Sequence, residues 1–182
     1  MKSLPTIKQI RTLARTRLFH IEELDLEFSN GTSVQFERLK GSSYGAVLVI
    51  PMLDAQTVIL IREYAAGMER YELALPKGRI EADEDILAAA NRELMEEVGY
   101  GANQLEHIAT YSLAPGYSSQ LTYVVLAQNL YPKQLEGDEP EPIEVMHWSL
   151  DALPELVQHD ELTEARSIAA LYQAREIINR DV

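Results

Sequence analysis

The stretch at residues 78–100 carries carboxylate side chains at a spacing that suits a divalent cation. It reads GRIEADEDILAAANRELMEEVGY, and its apolar residues recur at helical spacing over residues 83–98. Glu93, Glu96 and Glu97 therefore share one face of the predicted helix. Hard oxygen ligands on one rigid face suit Mg²⁺ or Mn²⁺, whose charge would offset the repulsion between them. The stretch predicts a metal site, although a solvated acidic helix face has the same composition.

The same stretch has fixed identities at fixed spacing. They are Gly78, Glu84, Arg92-Glu93-Leu94, Glu96-Glu97, Gly99 and the apolar Tyr100. We call residues 78–100 the box. On these residues the chain resembles the Nudix hydrolase family, whose members cleave nucleoside diphosphates linked to another group with the help of a divalent metal. The resemblance implies that Glu93, Glu96 and Glu97 bind the metal, Mg²⁺ with Mn²⁺ as a substitute. It also makes Glu96 a candidate catalytic residue.

Segments outside this stretch resemble the branch of the family that cleaves ADP compounds. They include RLFHIEELDLEFSNG (17–31), LIREYAAG (60–67), YELALPKG (71–78) and LEGDEPEP (135–142). The resemblance implies hydrolysis of ADP-ribose, NADH and diadenosine polyphosphates to AMP and a phosphorylated product such as ribose 5-phosphate. Two alternatives stay open: a Nudix hydrolase that prefers diadenosine polyphosphates or nucleoside-sugars, and a non-catalytic sensor of a nucleotide metabolite.

An acidic, proline-containing loop provides the candidates for the general base. Residues 138–145 read DEPEPIEV and are similar to the loop that carries the base in ADP-ribose pyrophosphatases of the family. By this resemblance Glu139 matches the base and Glu141 its nearby partner. Composition alone is equally typical of a solvated acidic loop.

Further candidates are contacts to the substrate: Arg38, Arg62, Lys77, Arg79, Pro115 and Gln120. A guanidinium binds phosphate bidentately, although each arginine also fits a surface ion pair. Lys77 stands before the box glycine, where the family commonly has alanine, and its ammonium is a candidate phosphate contact. By resemblance Pro115 matches a proline of ADP-ribose pyrophosphatases. Gln120 stands where many of those enzymes have a glutamate that contacts the terminal ribose.

Composition argues against two classes of protein, those that bind nucleic acid and those that span a membrane. The chain has 182 residues, a net charge of -13 and no cysteine. An acidic chain without a basic stripe is not expected to bind nucleic acid. The absence of thiols fits a reducing compartment, and no apolar run is long enough to span a membrane. We therefore expect a cytoplasmic protein that binds neither nucleic acid nor membrane.

The order of predicted elements indicates an α/β (α+β mixed) fold, with a mixed β-sheet sandwiched between helices. Predicted strands lie at residues 46–53, 58–64, 71–75, 107–112, 121–127 and 145–150, and later helices at 152–159 and 164–179. Asn30-Gly31 between alternating runs predicts a hairpin over residues 18–39. We expect an N-terminal β-hairpin subdomain at 1–43 and a Nudix hydrolase domain at 44–182. Since a lone hairpin has little core, we expect residues 1–43 to form a homodimer interface.

Overall fold

The computed structural model describes residues 3–180, which divide into two compact units. Unit 1 contains the described residues up to Gly45 together with Ser112–Leu121, and unit 2 contains Ala46–Tyr111 and the described residues from Thr122 onward. The predicted domains 1–43 and 44–182 also include residues 1, 2, 181 and 182, which lie outside the described residues. The boundary between residues 43 and 44 stays a prediction.

Unit 1 is built on a three-stranded antiparallel sheet. Its strands are β1 (Thr6–Arg15), β2 (His20–Glu27) and β3 (Ser33–Leu39), in the order β1-β2-β3. The turn between β2 and β3 contains Gly31 at φ 83°, in the left-handed region that glycine favours. The hairpin predicted from Asn30-Gly31 is therefore confirmed, and β1 adds a third strand to it.

The two faces of this sheet differ in polarity. Cross-strand pairing aligns apolar residues in two rows, Ile7-Leu26-Val34 and Ile10-Leu24-Phe36. The outer members of both rows are exposed. The opposite face is charged, since the guanidinium of Arg11 donates hydrogen bonds to Glu23 and Asp25. Unit 1 consequently presents an apolar sheet face of the kind that usually contacts another surface.

Unit 2 combines strands and helices, which confirms the predicted mixed fold class. Its strands are β4 (Ala46–Pro51), β5 (Thr57–Ala65), β6 (Arg70–Ala74), β7 (Lys77–Arg79), β8 (Tyr100–Ser112), β9 (Leu121–Pro132) and β10 (Glu144–Ser149). The terminal residues Ser112 of β8 and Leu121 of β9 belong to unit 1. Its α-helices are α1 (Ile86–Glu97), α2 (Leu153–Leu156) and α3 (Ala165–Ile178), and a 3₁₀ turn at Leu150–Ala152 precedes α2.

The strands of unit 2 form two sheets rather than one. One is antiparallel with the order β10-β5-β6, and the other is mixed with the order β7-β4-β9-β8, in which β4 and β9 run parallel. Alternate residues of β4 enter two separate cores, because successive side chains of a strand point to opposite faces. Val47 packs in the core that contains Leu94 of α1, and Leu48 packs in the core that contains Leu171 of α3.

Several elements differ from their predicted bounds. Helix α1 begins at Ile86 because Asp85 caps it, accepting hydrogen bonds from the backbone amides of Leu87 and Ala88. Strand β8 begins at Tyr100, well before residue 107, and Lys77–Arg79 forms a strand although no strand was predicted there. Within residues 3–180, no helix is long and apolar enough to cross a membrane.

Candidate active site

Helix α1 brings the box carboxylates to the mixed sheet. Glu93 and Glu97 are buried, whereas Glu96 is half-buried. Gly99, at φ 79°, follows the end of the helix and takes the left-handed conformation typical of a residue just past a helix C-terminus. The carboxylates are thus held on a capped helix whose apolar face is packed.

Arg92 organises the surroundings of these carboxylates. Its guanidinium donates to Glu84 from Nε at 2.9 Å and from Nη2 at 3.0 Å, and Nη2 also donates to the carbonyl of Arg79 at 2.9 Å. Its Nη1 donates to Glu93 at 2.8 Å and to Glu96 at 2.9 Å. The hydrogen bonds from Arg92 lower the pKa of Glu84. Arg92 therefore joins the loop before α1 to two of the predicted metal ligands.

Gly78 leaves room for the carboxylate of Glu93. A Cβ added at Gly78 would lie 1.9 to 2.1 Å from the three carboxyl atoms of Glu93, far inside van der Waals contact. A side chain at position 78 would therefore force the Glu93 carboxylate to move away from the backbone of β7.

Glu97 lies at the centre of a cluster of three carboxylates. Glu63, Glu97 and Glu139 each offer an oxygen atom, and these atoms all lie within 4.8 Å of one another. The Oε2 atom of Glu97 accepts a hydrogen bond from the backbone amide of Lys77 at 2.9 Å. Burial raises the pKa of Glu97 to about 8, and burial also raises the pKa of Glu93. Both carboxylates would be stabilised as charged groups by additional positive charge.

Lys77 supplies one positive charge to this cluster, because its ammonium forms a salt bridge with Glu63. One ammonium does not balance three carboxylates. Closely spaced carboxylate oxygens, such as those of Glu63 and the buried Glu97, are the donor set that hard divalent cations take in proteins. The residues present therefore fit a divalent metal ion.

The acidic loop between β9 and β10 completes the cluster. Glu139 comes from this loop. Desolvation is the main cause that raises the pKa of its carboxyl group, and the charges of Glu63 and Asp138 raise it further. An open cleft of about 490 Å³ is lined by the end of α1 and by the loop, including Glu97, Glu139 and Glu141. The structure thus brings a box residue and the predicted base to one cleft.

The three predicted metal ligands have different neighbours. Glu97 belongs to the three-carboxylate cluster, whereas Glu93 and Glu96 are linked through Arg92. Sequence reasoning missed Glu63. Its one signal is an acidic residue in a strand that is otherwise buried and apolar at Val58–Ile61, which indicates a polar site beside that strand.

Three predicted substrate contacts lie in unit 2. Arg62 donates to Glu144 from Nη1 at 3.2 Å and to Glu161 from Nη2 at 2.6 Å. It therefore forms ion pairs, which was the alternative to phosphate binding. Lys77 pairs with Glu63. Arg79 is exposed, and within residues 3–180 its guanidinium forms no salt bridge, so it is free to bind an anion.

The other three predicted substrate contacts lie in unit 1. The guanidinium of Arg38 donates to Glu22 at 2.9 and 2.7 Å. The side-chain oxygen of Gln120 accepts a hydrogen bond from the backbone amide of Ser42 at 3.1 Å. Pro115 lies in the Ser112–Leu121 segment. Their roles in substrate binding stay predictions.

Comparison with known protein families identifies the family of this chain. Residues 44–171 match the NUDIX domain, and residues 5–38 match the NudE-type Nudix hydrolase N-terminal domain. The chain belongs to the Nudix hydrolase family. The first match includes α1 and the acidic loop, so this Nudix hydrolase has its carboxylate cluster inside the family domain.

Individual relatives of this Nudix hydrolase cover most of its length. It is 48% identical over 172 residues to the ADP compounds hydrolase NudE of Escherichia coli K12, covering 94% of this chain and 92% of the relative. It is 32% identical over 178 residues to the ADP-ribose pyrophosphatase of Bacillus subtilis 168, covering 94% and 93%. A crystal structure of an ADP compounds hydrolase matches with a TM-score of 0.92 and 45% identity, covering 100% of this chain and 97% of the other.

Proposed function

We propose that this Nudix hydrolase cleaves the diphosphate linkage of ADP-containing compounds, which include ADP-ribose, NADH and diadenosine polyphosphates. Its products are AMP and a phosphorylated partner, ribose 5-phosphate when ADP-ribose is the substrate. The substrate class is supported by two relatives named as an ADP compounds hydrolase and an ADP-ribose pyrophosphatase. The observation that carries the chemistry is the meeting of Glu97, Glu63 and Glu139 within 4.8 Å.

The proposed cofactor is Mg²⁺, with Mn²⁺ as a substitute. Glu93, Glu96 and Glu97 are the proposed ligands, and Glu63 adds a carboxylate beside Glu97. When bound, the cation neutralises the diphosphate and stabilises the charge that develops on its oxygens. The burial of Glu93 and Glu97 supports this assignment, because a buried carboxylate favours a nearby cation.

Glu139 is the proposed general base. Its carboxylate takes a proton from the attacking water, whose oxygen forms a bond to phosphorus while the bridging P–O bond breaks. The raised pKa of Glu139 supports this role, since a base is most effective when its pKa lies near the working pH. Glu141 is its proposed partner, and Arg79, exposed at the end of β7, is a proposed contact to the departing phosphate.

We also propose a homodimer that forms through the subdomain at residues 1–43. The proposal is supported by the apolar face of the unit 1 sheet, on which Ile7, Ile10, Val34 and Phe36 are exposed. A second copy would cover this face by two-fold symmetry. Cytoplasmic location and the absence of nucleic-acid binding stay predictions from composition.

A substrate panel tests the proposed function. Purified enzyme is assayed with Mg²⁺ against ADP-ribose, NADH, diadenosine triphosphate and ADP-sugars, with product identification by mass spectrometry. We expect AMP from at least one of these compounds, and no AMP when the metal is chelated. Hydrolysis in ¹⁸O-labelled water then identifies the attacked phosphorus, since the label enters only one of the two products.

Two results would contradict the proposal. One is the absence of AMP from every compound in the panel when the enzyme is folded and saturated with Mg²⁺. The other is binding of ADP-ribose without turnover, which would favour the non-catalytic sensor.

A further inference from the structure

The acidic loop is anchored at both of its ends. At its start, the backbone amide of Leu135 donates to the carbonyl of Met95 at 3.1 Å, and the side chain of Gln134 donates to the carbonyl of Glu96 at 2.8 Å. At its end, Ile143 packs against the core beneath α1, and Glu144 pairs with Arg62 across β10 and β5. These anchors fix where the loop leaves and rejoins the fold.

Between the anchors, one hydrogen bond holds the loop. Within the described chain, residues 136–143 take part in a single hydrogen bond, from the hydroxyl of Tyr71 to Oε1 of Glu141 at 2.6 Å. A phenol bonded to a carboxylate is a charge-assisted hydrogen bond, which is stronger than one between neutral groups. The position of the middle of the loop therefore depends on Tyr71.

Tyr71 is exposed, and its ring contacts that of another exposed tyrosine. It lies on β6, where it pairs with Tyr64 of β5, and the two rings meet edge to face with their centroids 5.7 Å apart. From this position the Tyr71 hydroxyl reaches Glu141 of the loop. Tyr64 is a matched neighbour, because its own hydroxyl forms no hydrogen bond within residues 3–180.

We propose that Tyr71 is a positioning residue that holds the acidic loop so that Glu139 stays beside Glu63 and Glu97. Glu141 and Glu139 are separated by Pro140 alone. The ring of Pro140 fixes its φ angle and restricts the backbone of Glu139 before it, so fewer conformations are open to Glu139 once Glu141 is held. Holding Glu141 therefore also limits where the Glu139 carboxylate can lie. This proposal rests on the proposed function for the role of Glu139 as base.

Tyr71→Phe and Tyr64→Phe form the matched test pair, since each removes one hydroxyl and keeps the ring. Backbone amide order parameters of the metal-free, substrate-free enzyme are measured by NMR for residues 136–139, 141 and 143, the non-proline positions of this segment. We expect lower order parameters, which mean greater mobility, in Tyr71→Phe and wild-type values in Tyr64→Phe. In steady-state assays we expect kcat of Tyr71→Phe to fall about 10-fold with KM nearly unchanged, the size of one lost charge-assisted hydrogen bond.

A double variant shows whether Tyr71 acts through Glu139. If it does, Tyr71→Phe causes little further loss of kcat in a Glu139→Gln background, because residues that act as one unit are not additive. A full additional 10-fold loss would overturn the proposal. Unchanged order parameters in Tyr71→Phe would overturn it as well, and this measurement needs no turnover. Retained kcat in Glu139→Gln alone would instead contradict the proposed base.

Discussion

Lys77 forms a salt bridge with Glu63, one of the three carboxylates that meet in the cleft. The ammonium would therefore compete with a metal ion bound by these carboxylates. We predict that Lys77→Met raises the affinity for Mn²⁺ by about 3-fold to 10-fold, because one positive charge near the ligands is removed. We also predict a lower melting temperature in chelator, where the carboxylates lose their counter-ion. Calorimetric titration with Mn²⁺ and thermal unfolding measure the two effects.

Lys77→Arg is the control for this prediction, since it keeps the charge and should leave Mn²⁺ affinity close to wild type. Equal affinity in the wild type and Lys77→Met would show that the ammonium does not compete with the metal.

Glu97→Gln should abolish most activity without unfolding the protein. We expect a loss of about 10²-fold or more in kcat, equivalent to ~3 kcal/mol of barrier, because a ligand charge is removed. Stability in chelator should be unchanged or higher, since a neutral amide costs less to bury than a carboxylate. Kinetics under saturating Mg²⁺ and urea unfolding test both expectations. Glu106→Gln, the same change at an exposed position of β8, should leave both properties unchanged.

Near wild-type turnover of Glu97→Gln under saturating Mg²⁺ would remove Glu97 from the metal ligands.

Glu139→Gln should lower kcat by about 10² to 10⁴-fold with Mg²⁺ and substrate binding nearly intact, as expected for the loss of a general base. Raising the metal concentration should not rescue it, in contrast to the loss of a metal ligand. Glu141→Gln is the internal control and should cause a smaller loss, because Glu141 acts through the position of the loop. A large metal-independent loss in Glu141→Gln alone would identify Glu141 as the base.

Glu72 predicts a pH dependence of stability. This buried carboxylate accepts hydrogen bonds from the hydroxyl of Thr163 at 2.7 Å and from Nε of Arg70 at 2.6 Å. Burial raises its pKa, but the hydrogen bonds from Thr163 and Arg70 outweigh burial and lower it. A lowered folded-state pKa adds stability above the unfolded value of about 4.3, and that stability is lost as pH falls through the folded value.

Glu72→Gln should accordingly reduce the free energy of unfolding at pH 7 by about 1–3 kcal/mol. The difference from wild type should shrink as the pH falls below about 4. Urea unfolding at several pH values gives the comparison, with Glu176→Gln at an exposed position as the control. A penalty that stays constant down to acidic pH would show that the charge of Glu72 does not contribute.

The apolar face of unit 1 gives a way to test the proposed homodimer. Phe36→Asp should shift the mass measured by light scattering from dimer to monomer at micromolar concentration, since a charge would be buried in the interface. Met68→Asp makes the same type of change at an exposed turn of unit 2 and should leave the mass unchanged. A monomeric wild-type protein would contradict the proposed homodimer.

Local sequence was sufficient to predict the box. Glu93, Glu96 and Glu97 lie on one helix, so their relative positions follow from helical spacing and need no tertiary information. The start of the helix was less predictable. The helical pattern extends back to residue 83, but the cap at Asp85 sets the first helical residue at Ile86. Strand β8 also starts earlier than its composition suggests. Near its start, the backbone amide of Ala102 donates a hydrogen bond to the side chain of Asn91 in α1, a contact that residue types alone do not predict.

Tertiary contacts account for what the sequence did not predict. Glu63 reaches Glu97 and Glu139 only because β5 lies beside the acidic loop, and no local pattern encodes that proximity. The resemblance to the family, rather than composition, indicated that Glu139 belongs to the site. Likewise, the hydrogen bond between Tyr71 and Glu141 joins residues that are far apart in the chain, and spacing alone does not predict it.

The parallel pairing of β4 with β9 also determines when the site can form as the chain emerges from a ribosome. Ala46 pairs with Thr122, so β4 has to wait for β9 while β5, β6, β7, α1 and β8 are synthesised. Pairings between distant segments form slowly, because loop-closure entropy is lost before the contact is gained. A nascent chain that ends within β8 therefore carries every box glutamate but has no complete sheet beneath the helix that bears them.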